Sequence, residues 1–412
     1  ACARALTDAG QPVLVLEADG EVGGRVCTDE RGGYRLDRGF QVLFTAYPAA
    51  RRWLDIDALA PRRFDPGALI RHDGRWSVLS DPRRDPAAAP ASIATGVVPF
   101  GDKLRTLLLV ARLARRDWDG VREIGGPDRS TVDYLRARRF SPRFIDRFAR
   151  PFYGGIYLDR GLAADARVFA FTFKMLATGE TIVPAGGMGA ITKQLAAGLP
   201  DGILRLRTPV AALIREDGRV TGVRTPGGEE RAARVVVATD SRTAERLTGL
   251  PLPTAGLATA AVYFGSARPL TRAKKILLDA TPGAVINNAT QLTNIAPEYA
   301  PPGRHLLSCT VLGDVLDGFP DDEALIARCR EELGRWFPRA GEAGLEPLAV
   351  ARVPFAQFAQ PPGIHRRLPR NRTATPGLYL AGEYTEDSSI NGALRGGEGA
   401  AGAILADRRR GA

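Results

Sequence analysis

The first 17 residues constrain the fold more than any other part of the sequence. Small and apolar residues at helical spacing fill Ala1–Gly10, and Gly10 is a natural helix stop. The next run, Gln11–Glu17, is almost continuously apolar and ends in an acid, which is typical of a strand buried on both faces of a parallel sheet. Helix, tight turn and buried strand form the second half of a βαβ unit. We therefore expect a first strand and a Gly-x-Gly-x-x-Gly turn before Ala1, and we expect the sequence to be truncated at that point.

Composition narrows the class of protein. The chain has 412 residues and 44% hydrophobic content, enough for two or more domains. There is no uncharged apolar run of about 18 residues, so no transmembrane helix is predicted. Four cysteines and three histidines are scattered, which argues against a metal site and favours a reducing cytoplasm. The net charge is +11, but the basic residues are spread along the whole chain, so we expect no nucleic-acid partner.

The order of elements predicts two discontinuous domains. Helix and strand patterns alternate again after Gly187, a mostly antiparallel sheet is expected within Gly256–Phe358, and a last buried strand leads into a helix from Ser389. The fold class is therefore α/β, with a Rossmann-like parallel-sheet domain and an inserted α+β domain that contains an antiparallel sheet. We assign residues 1–70, 185–246 and 376–412 to the first domain, and residues 71–184 and 247–375 to the second.

One predicted helix, Asp102–Trp118, has two interpretations. Asp102 is expected to cap its N-terminus, and several arginines near its C-terminus suit the helix dipole. Its leucine-rich face predicts packing inside the second domain. The same face beside arginines also allows contact with a membrane surface, so a peripheral membrane location remains an alternative to a purely cytoplasmic one.

A nucleotide site is indicated just after the first strand. Glu17 closes that strand, where an acid accepts hydrogen bonds from ribose hydroxyls in dinucleotide folds. Gly23 and Gly24 follow, and two glycines let backbone amides approach a diphosphate closely. Arg25 adds a planar, permanent cation.

The combination ACARALTDAG, QPVLVLEA and VGGRV resembles the opening of the flavin-containing amine oxidase, protoporphyrinogen oxidase and phytoene desaturase superfamily. The resemblance implies that FAD is the cofactor, that Glu17 binds its ribose and that the Gly23–Arg25 segment lies along it. It also implies that the loop with Asp37 and Gly39 approaches the flavin, and that the backbone of Val210, expected in a strand, contacts the adenine.

The C-terminal motif carries this resemblance most strongly. It runs from LYLAGE, with Gly382 and Glu383, to SSINGA and GGEGAA. The resemblance implies that Gly382 and Glu383 lie at the FAD phosphates and ribityl chain. It further implies that the helix beginning at Ser389, Ile390, Asn391 and Gly392 points its N-terminus at the flavin, where its dipole stabilises negative charge.

Two positions depart from the amine oxidase branch. Ser389 stands where that branch carries an aromatic cage residue, and Thr259 stands where many members carry a lysine. We therefore expect an FAD-dependent oxidoreductase that removes hydride from a C–C or C–N bond of a hydrophobic small molecule, as desaturases do. A peroxide-forming amine oxidase and a non-catalytic flavoprotein remain alternatives. The segment FARPFYGGIY resembles the substrate domain of the desaturase side, so Phe152, Tyr153, Tyr157 and Thr259 are candidate pocket residues.

Overall fold

The computed structural model describes residues 1–338 and 340–410. Within them the helices are α1 Cys2–Asp8, α2 Pro48–Trp53, α3 Ala89–Ala94, α4 Phe100–Leu113, α5 Thr131–Ala137, α6 Pro142–Phe144, α7 Arg150–Tyr157, α8 Ala166–Thr178, α9 Gly189–Ala197, α10 Ser241–Thr248, α11 Leu292–Ile295, α12 Gly313–Leu316, α13 Asp322–Trp336 and α14 Ile390–Arg409.

The strands are β1 Val15–Leu16, β2 Thr28–Arg31, β3 Tyr34–Asp37, β4 Leu43–Phe44, β5 Pro61–Arg63, β6 Ala68–His72, β7 Arg75–Leu79, β8 Thr181–Pro184, β9 Leu204–Arg205, β10 Ala212–Glu216, β11 Arg219–Thr225, β12 Gly228–Arg231, β13 Val235–Val237, β14 Gly256–Ser266, β15 Ile276–Asp279, β16 Asn288–Gln291, β17 His305–Leu312, β18 Glu346–Phe358 and β19 Leu378–Leu380.

Short parallel pairs bring the first, middle and last parts of the chain together. β1 pairs with β9, and β13 pairs with β19, both in parallel. Helix α14 lies beside α1, so closely that a Cβ on Gly397 would come within 2.9 Å of the Cys2 nitrogen. The expectation that Gln11–Glu17 is buried on both faces is wrong. Within the described residues β1 pairs only with β9, so Val15 and Leu16 are half-buried and Leu14 is 38% exposed.

A seven-stranded mixed sheet forms the largest layer, in the order β18-β14-β17-β16-β15-β6-β7. Side chains alternate across it, as strand geometry requires. On β14, Val262 and Phe264 join the core beneath α13, while Ala261 and Tyr263 join the core on the opposite face. The pairing of β15 with β6 is parallel, whereas the other pairings in this sheet are antiparallel. The predicted α/β class with parallel strands and an antiparallel sheet is confirmed.

Helix α4 differs from its prediction at both ends. It spans Phe100–Leu113, and Asp102 lies inside its first turn instead of capping it. The Asp102 carboxylate is fully buried. It accepts hydrogen bonds from the backbone nitrogen and the hydroxyl of Ser141, and it pairs with Arg105. The contact with Ser141 explains why Asp102 lies inside the first turn and does not cap the helix. Leu109 and Leu113 of α4 are buried in the main core, whose members also include the long buried helix α8.

Candidate cofactor and active site

Glu17 lies directly after β1, with its carboxylate at the surface. Its backbone nitrogen donates to the carbonyl of Arg205 (3.0 Å), which extends the β1–β9 pairing by one residue. One carboxylate oxygen accepts a hydrogen bond from the backbone nitrogen of Asp19 (2.9 Å). A half-buried acid at this position is placed to accept hydrogen bonds from a diol.

The Gly23–Arg25 segment forms a turn with one open side. Gly23 has φ +122°, and a Cβ there would lie 2.4 Å from the carbonyl oxygen of Val26, so the turn requires glycine. Gly24 has φ +56° and no protein atom within 4 Å of a Cβ position, which leaves its outer side free. Arg25 donates to the carbonyl of Ala356 (2.6 Å) and pairs with the buried carboxylate of Glu383. The N-terminal and C-terminal motifs are thus joined through one arginine.

Asp37 has an internal role that the sequence did not suggest. One carboxylate oxygen accepts from the hydroxyl of Thr28 and the backbone nitrogen of Met188 (2.9 Å), and the other accepts from the hydroxyl of Tyr299 (3.1 Å). The hydroxyl of Tyr263 donates to the Asp37 carbonyl (2.7 Å). Burial raises the pKa of Asp37 to about 6. Both carboxylate oxygens are therefore used within the protein, and the approach of the Asp37–Gly39 loop to the flavin stays a prediction.

Gly39 and Val210 lie in loops. Gly39 is buried at φ +92°, with its Cβ side 3.5 Å from Val353, and its neighbour Gln41 donates to the backbone of Arg25 (2.7 Å). Val210 is half-buried and stands just before β10, which begins at Ala212, so the expectation that it lies in a strand is wrong. The proline at position 209, which cannot donate to a strand ladder, explains the later start.

The C-terminal motif turns sharply into α14. Ser389 is the N-cap, and its hydroxyl accepts from the backbone nitrogen of Gly392 (2.9 Å). Close approach requires glycine at two positions here. A Cβ on Gly392 would lie 2.0 Å from the Asp387 carbonyl, and one on Gly396 would lie 2.4 Å from the Gly382 carbonyl. The helix N-terminus at Ile390 is therefore held against the loop that follows β19.

Two side chains of α14 fix its first turns to the rest of the protein. The buried Asn391 accepts from the backbone nitrogen of Ala49 (3.0 Å) and donates to the carbonyl of Asp119 (3.1 Å). Arg395 pairs with Asp119, with Glu123 (3.2 Å) and with Glu386 (3.4 Å). The side chain of Asn391 therefore links α14 to Ala49 of α2 and to Asp119. Only the backbone of Asn391 remains at the N-terminus of the helix.

A small enclosed cavity of about 30 Å³ lies next to this helix start. Helices α7 and α8, the strand β18 and the loop before α14 supply its walls. It is lined by Tyr47, Val121, Ile156, Tyr157, Val168, Phe171, Thr172, Gln357, Gln360, Asp387, Ser388 and Ser389.

Of the four predicted pocket residues, only Tyr157 lines the cavity. Tyr153 is buried in the aromatic core, where it meets Phe169 edge to face, and Phe152 stacks on Phe148. Thr259 is buried in β14 and donates to the carbonyl of Val311 (3.0 Å). The structure therefore places Phe152, Tyr153 and Thr259 away from the cavity walls, and it makes Tyr153 a core residue.

Asp387 is the acidic residue among the cavity residues that sequence reasoning missed. One of its carboxylate oxygens accepts from the Ser389 hydroxyl, and the other has no hydrogen-bond partner among the described residues. Its side chain is nearly fully buried, and burial raises its pKa to about 6. One feature of the sequence could have indicated Asp387. It lies two residues before Ser389, where the helix expected to face the flavin begins.

These features fit FAD. An acid follows the first parallel strand, a glycine with free space at its Cβ side comes next, and an arginine then leads to a buried glutamate and the start of a long helix. Glu17 would hold the ribose, the Gly23–Arg25 turn would lie along the diphosphate, and the α14 N-terminus would face the flavin ring. When bound there, FAD supplies a two-electron acceptor, which is the chemistry of an oxidoreductase.

Comparison with known proteins gives the family. The model of the flavin containing amine oxidoreductases matches residues 1–405. The chain therefore belongs to this family and is an FAD-dependent oxidoreductase, as the sequence motifs predicted.

Individual relatives agree with this assignment. Phytoene dehydrogenase of Streptomyces griseus is 29% identical over 358 residues, which cover 74% of this chain and 69% of that protein. Two solved structures share the fold, each covering 98% of this chain and 96% of the other at 19% identity. They are an oxidoreductase from Methanosarcina mazei (TM-score 0.72) and a triple mutant of putrescine oxidase (TM-score 0.72).

Proposed function

We propose that this FAD-dependent oxidoreductase removes hydride from a hydrophobic small molecule held in the cavity beside the α14 N-terminus. The observation that carries the proposal is the composition of that cavity. Val121, Ile156, Val168 and Phe171 supply apolar walls, and the Asp387–Ser389 loop supplies a polar end. Small-molecule sites have the same mixture of apolar walls and a few polar groups, and the volume of about 30 Å³ corresponds to the inner end of such a site and not to the whole of it.

The residues of this chain would perform three tasks in the reaction. The apolar walls exclude water and hold the reacting carbon in place, which hydride transfer requires. The α14 N-terminus stabilises the negative charge that reduction places on the ring. Ser389 offers no aromatic wall for an amine, which favours oxidation at carbon over the amine oxidase alternative.

The test is anaerobic reduction of the purified, FAD-loaded protein. Phytoene and putrescine are suitable probes, because relatives of this chain are named for them. Loss of the visible absorbance of oxidised flavin with a hydrophobic compound, and not with putrescine, is the expected result. Reduction by putrescine alone would favour the amine oxidase alternative, and failure to bind FAD would overturn the proposal.

The structure also supports a division into two domains. The parallel pairs β1–β9 and β13–β19 would belong to the FAD-binding domain, and the seven-stranded sheet to the substrate domain. Strand β6 (Ala68–His72) pairs with β7 over its whole length and with β15 over its first four residues. We therefore move the first boundary from residue 70 to the start of β6 and keep the other boundaries as predicted.

A peripheral membrane contact is part of this proposal. None of the helices in the described parts of the chain is long and apolar enough to cross a membrane. Helices α3 and α4 nevertheless expose a face formed by Ile93 (61% exposed), Phe100 (73%), Leu104 (51%), Leu107 (45%) and Leu108 (64%). The α4 members recur every three or four residues, so they share one side of the helix.

Charge and position indicate a lipid surface as the partner of this α3–α4 face. Exposed arginines follow at positions 112, 115 and 116, where they would meet anionic headgroups. On its other side α4 contacts α8, and α8 supplies Val168, Phe171 and Thr172 to the cavity. A hydrophobic substrate dissolved in the bilayer would therefore lie one helix away from the proposed site.

Vesicle flotation tests this contact. Wild-type protein is expected to float with vesicles that contain phosphatidylglycerol and much less with pure phosphatidylcholine vesicles. The triple variant Phe100→Ser/Leu104→Ser/Leu108→Ser should lose binding at least tenfold. The variant Leu14→Ser removes an isolated exposed leucine and should bind like the wild type. Equal flotation of both variants would contradict the assignment.

A further inference from the structure

A cleft of about 550 Å³, a volume that small-molecule sites commonly have, opens at the tip of the β6–β7 hairpin. Its walls come from this hairpin, from the segment between α6 and α7, from the β15–β16 loop and from α13. Arg71 and its strand partner Asp279 lie on the α13 side of the seven-stranded sheet, where Trp336 donates to Asp279 (3.0 Å). Their neighbours Ile70 and Leu278 join the core on the opposite side, which also supplies walls of the cavity beside α14. The sheet therefore separates the cleft from that cavity.

The two buried acids of the cleft already have donors within the protein. Asp279 is 3% exposed and accepts hydrogen bonds from the backbone nitrogen of Thr281 (2.8 Å) and from the indole of Trp336. Glu332 is 5% exposed and accepts from two backbone nitrogens of the β15–β16 loop (2.9 Å each). Each of the four carboxylate oxygens thus has a partner, so these acids hold the wall of the cleft together and do not call for a cationic ligand.

Arg71 lacks partners in the same wall. Its side chain is 15% exposed, and its one hydrogen bond within the described part of the chain, from Nη1 to Asp279, is long at 3.4 Å. The Nε and Nη2 groups are left without a protein acceptor there. A guanidinium only donates hydrogen bonds, and a mostly buried polar group without partners is costly. The missing partner is therefore an acceptor that enters the cleft.

The other charges around the cleft nearly cancel. Arg328 and Arg335 of α13 pair with acids of the same helix. Arg147 contacts Asp73 of the hairpin (3.1 Å), which is 73% exposed at the rim. In all, the lining contains four arginines and four acids. Net charge therefore does not select the ligand, and the unused donors of Arg71 do.

We propose that this cleft binds a small molecule through a phosphate or carboxylate group, which the Nε and Nη2 edge of Arg71 holds. Two parallel N–H groups of a planar guanidinium match two oxygens of such a group, and these charge-assisted bonds are stronger than bonds to a neutral carbonyl. Arg147, whose guanidinium also lines the cleft, is placed to meet the same oxyanion from the rim. The site is additional to those of FAD and substrate, and it does not depend on the proposed function.

Binding to the FAD-loaded protein in a chloride buffer at neutral pH tests the proposal. The probes are inorganic phosphate, succinate, the neutral diamide succinamide and the cation ethylenediammonium, followed by calorimetry and by tryptophan fluorescence, because Trp336 lines the cleft. We expect phosphate or succinate to bind, and their order tells whether a phosphate or a carboxylate is preferred. Equal or tighter binding of succinamide or ethylenediammonium would overturn the proposal, as would no binding of either oxyanion.

The flavin spectrum distinguishes this cleft from the cofactor site. The oxyanion should leave the visible absorbance of the bound FAD unchanged, because the sheet lies between them. A shift of the flavin bands on addition of phosphate or succinate would place the anion beside the cofactor and would refute the assignment.

Variants identify the binding arginine. Arg71→Gln should weaken the oxyanion that binds by about tenfold or more, since it removes charge-assisted hydrogen bonds. The control Arg224→Gln removes an exposed arginine that pairs with Glu229 on β12, and it should bind like the wild type. Equal affinity in Arg71→Gln and the wild type, or an equal loss in both variants, would contradict the proposal.

Arg147→Gln keeps the test open if Arg71→Gln does not fold. Arg147 is 32% exposed and pairs with the exposed Asp73, so its replacement leaves no buried acid without a cation. This variant should bind the oxyanion several-fold more weakly than the wild type. An unchanged affinity would then count against the site.

Discussion

Arg25 connects the two halves of the proposed FAD site, so its replacement tests the whole arrangement. The side chain is 32% exposed, and that of Glu383 is 9% exposed. Arg25→Ala removes the hydrogen bond to Ala356 and leaves the Glu383 carboxylate without its cation. The loop after β19 would then lose its tie to the Gly23–Gly24 turn.

The expected size follows from these contacts. A charge-assisted hydrogen bond contributes about 1.5–3 kcal/mol. The partial exposure of Arg25 brings the ion pair closer to the range of surface pairs, about 0–1 kcal/mol. We therefore expect Arg25→Ala to lower the free energy of unfolding by about 2–3 kcal/mol. If the guanidinium also donates to the FAD diphosphate, FAD affinity falls by a further 10-fold to 150-fold, approximately.

Two measurements separate stability from binding. Urea unfolding without added FAD gives the first quantity, and titration of the folded apoprotein with FAD gives the second. Arg31→Ala is the matched control, because among residues 1–338 and 340–410 Arg31 donates only to the carbonyl of Leu348 (3.2 Å), at an exposed site. It should change both quantities little. Equal FAD affinity in Arg25→Ala and Arg31→Ala would refute the placement of the cofactor along this turn.

Three further variants test the site and its supports. Ser389→Ala removes the N-cap of α14 and should cost about 1 kcal/mol of unfolding free energy in urea melts, whereas a change below about 0.3 kcal/mol would contradict the cap. Gly396→Ala should weaken FAD retention because its Cβ meets the Gly382 carbonyl, while Gly402→Ala, with open space around it, should be neutral or slightly stabilising. Burial raises the pKa of Asp37 from 3.8 to about 6, so its protonated form contributes stability that is present below pH about 4 and lost as pH rises to about 6. Relative to the wild type, Asp37→Asn should therefore gain up to about 3 kcal/mol between pH 4 and 7, and parallel stability curves would contradict this.

Local patterns predicted many elements well. The apolar pattern of the sequence predicts a helix over Asp322–Trp336 and a strand over His305–Leu312, and both elements have these bounds in the structure. In both segments the apolar residues that form the buried face lie within the segment itself. The pattern could therefore be recognised without knowing which element packs against it. Asp102 shows the opposite case, since Ser141, 39 residues away, decides where the acid points.

Only the parts of the site that carry a sequence motif could be predicted. The Gly23–Arg25 turn and the helix start at Ser389 were found from residue types, because close approach and helix capping leave a local signature. The cavity was not found, since its walls come from helices, a strand and a loop that are distant in sequence. Aromatic content suggested Phe152, Tyr153 and Tyr157, and of these three only Tyr157 lines the cavity. Asp387 carries no motif of its own.

The order of strands in the seven-stranded sheet has a consequence for folding during synthesis. Strands β6 and β7 leave the ribosome about two hundred residues before β15, the strand that connects them to the rest of the sheet. Strand β14 is likewise synthesised well before β18, the longest strand that pairs with it. Such distant pairings fold slowly, and the apolar edges of β6 and β14 stay open in the meantime. Overexpression at low temperature or with chaperones should therefore raise the soluble yield of this protein.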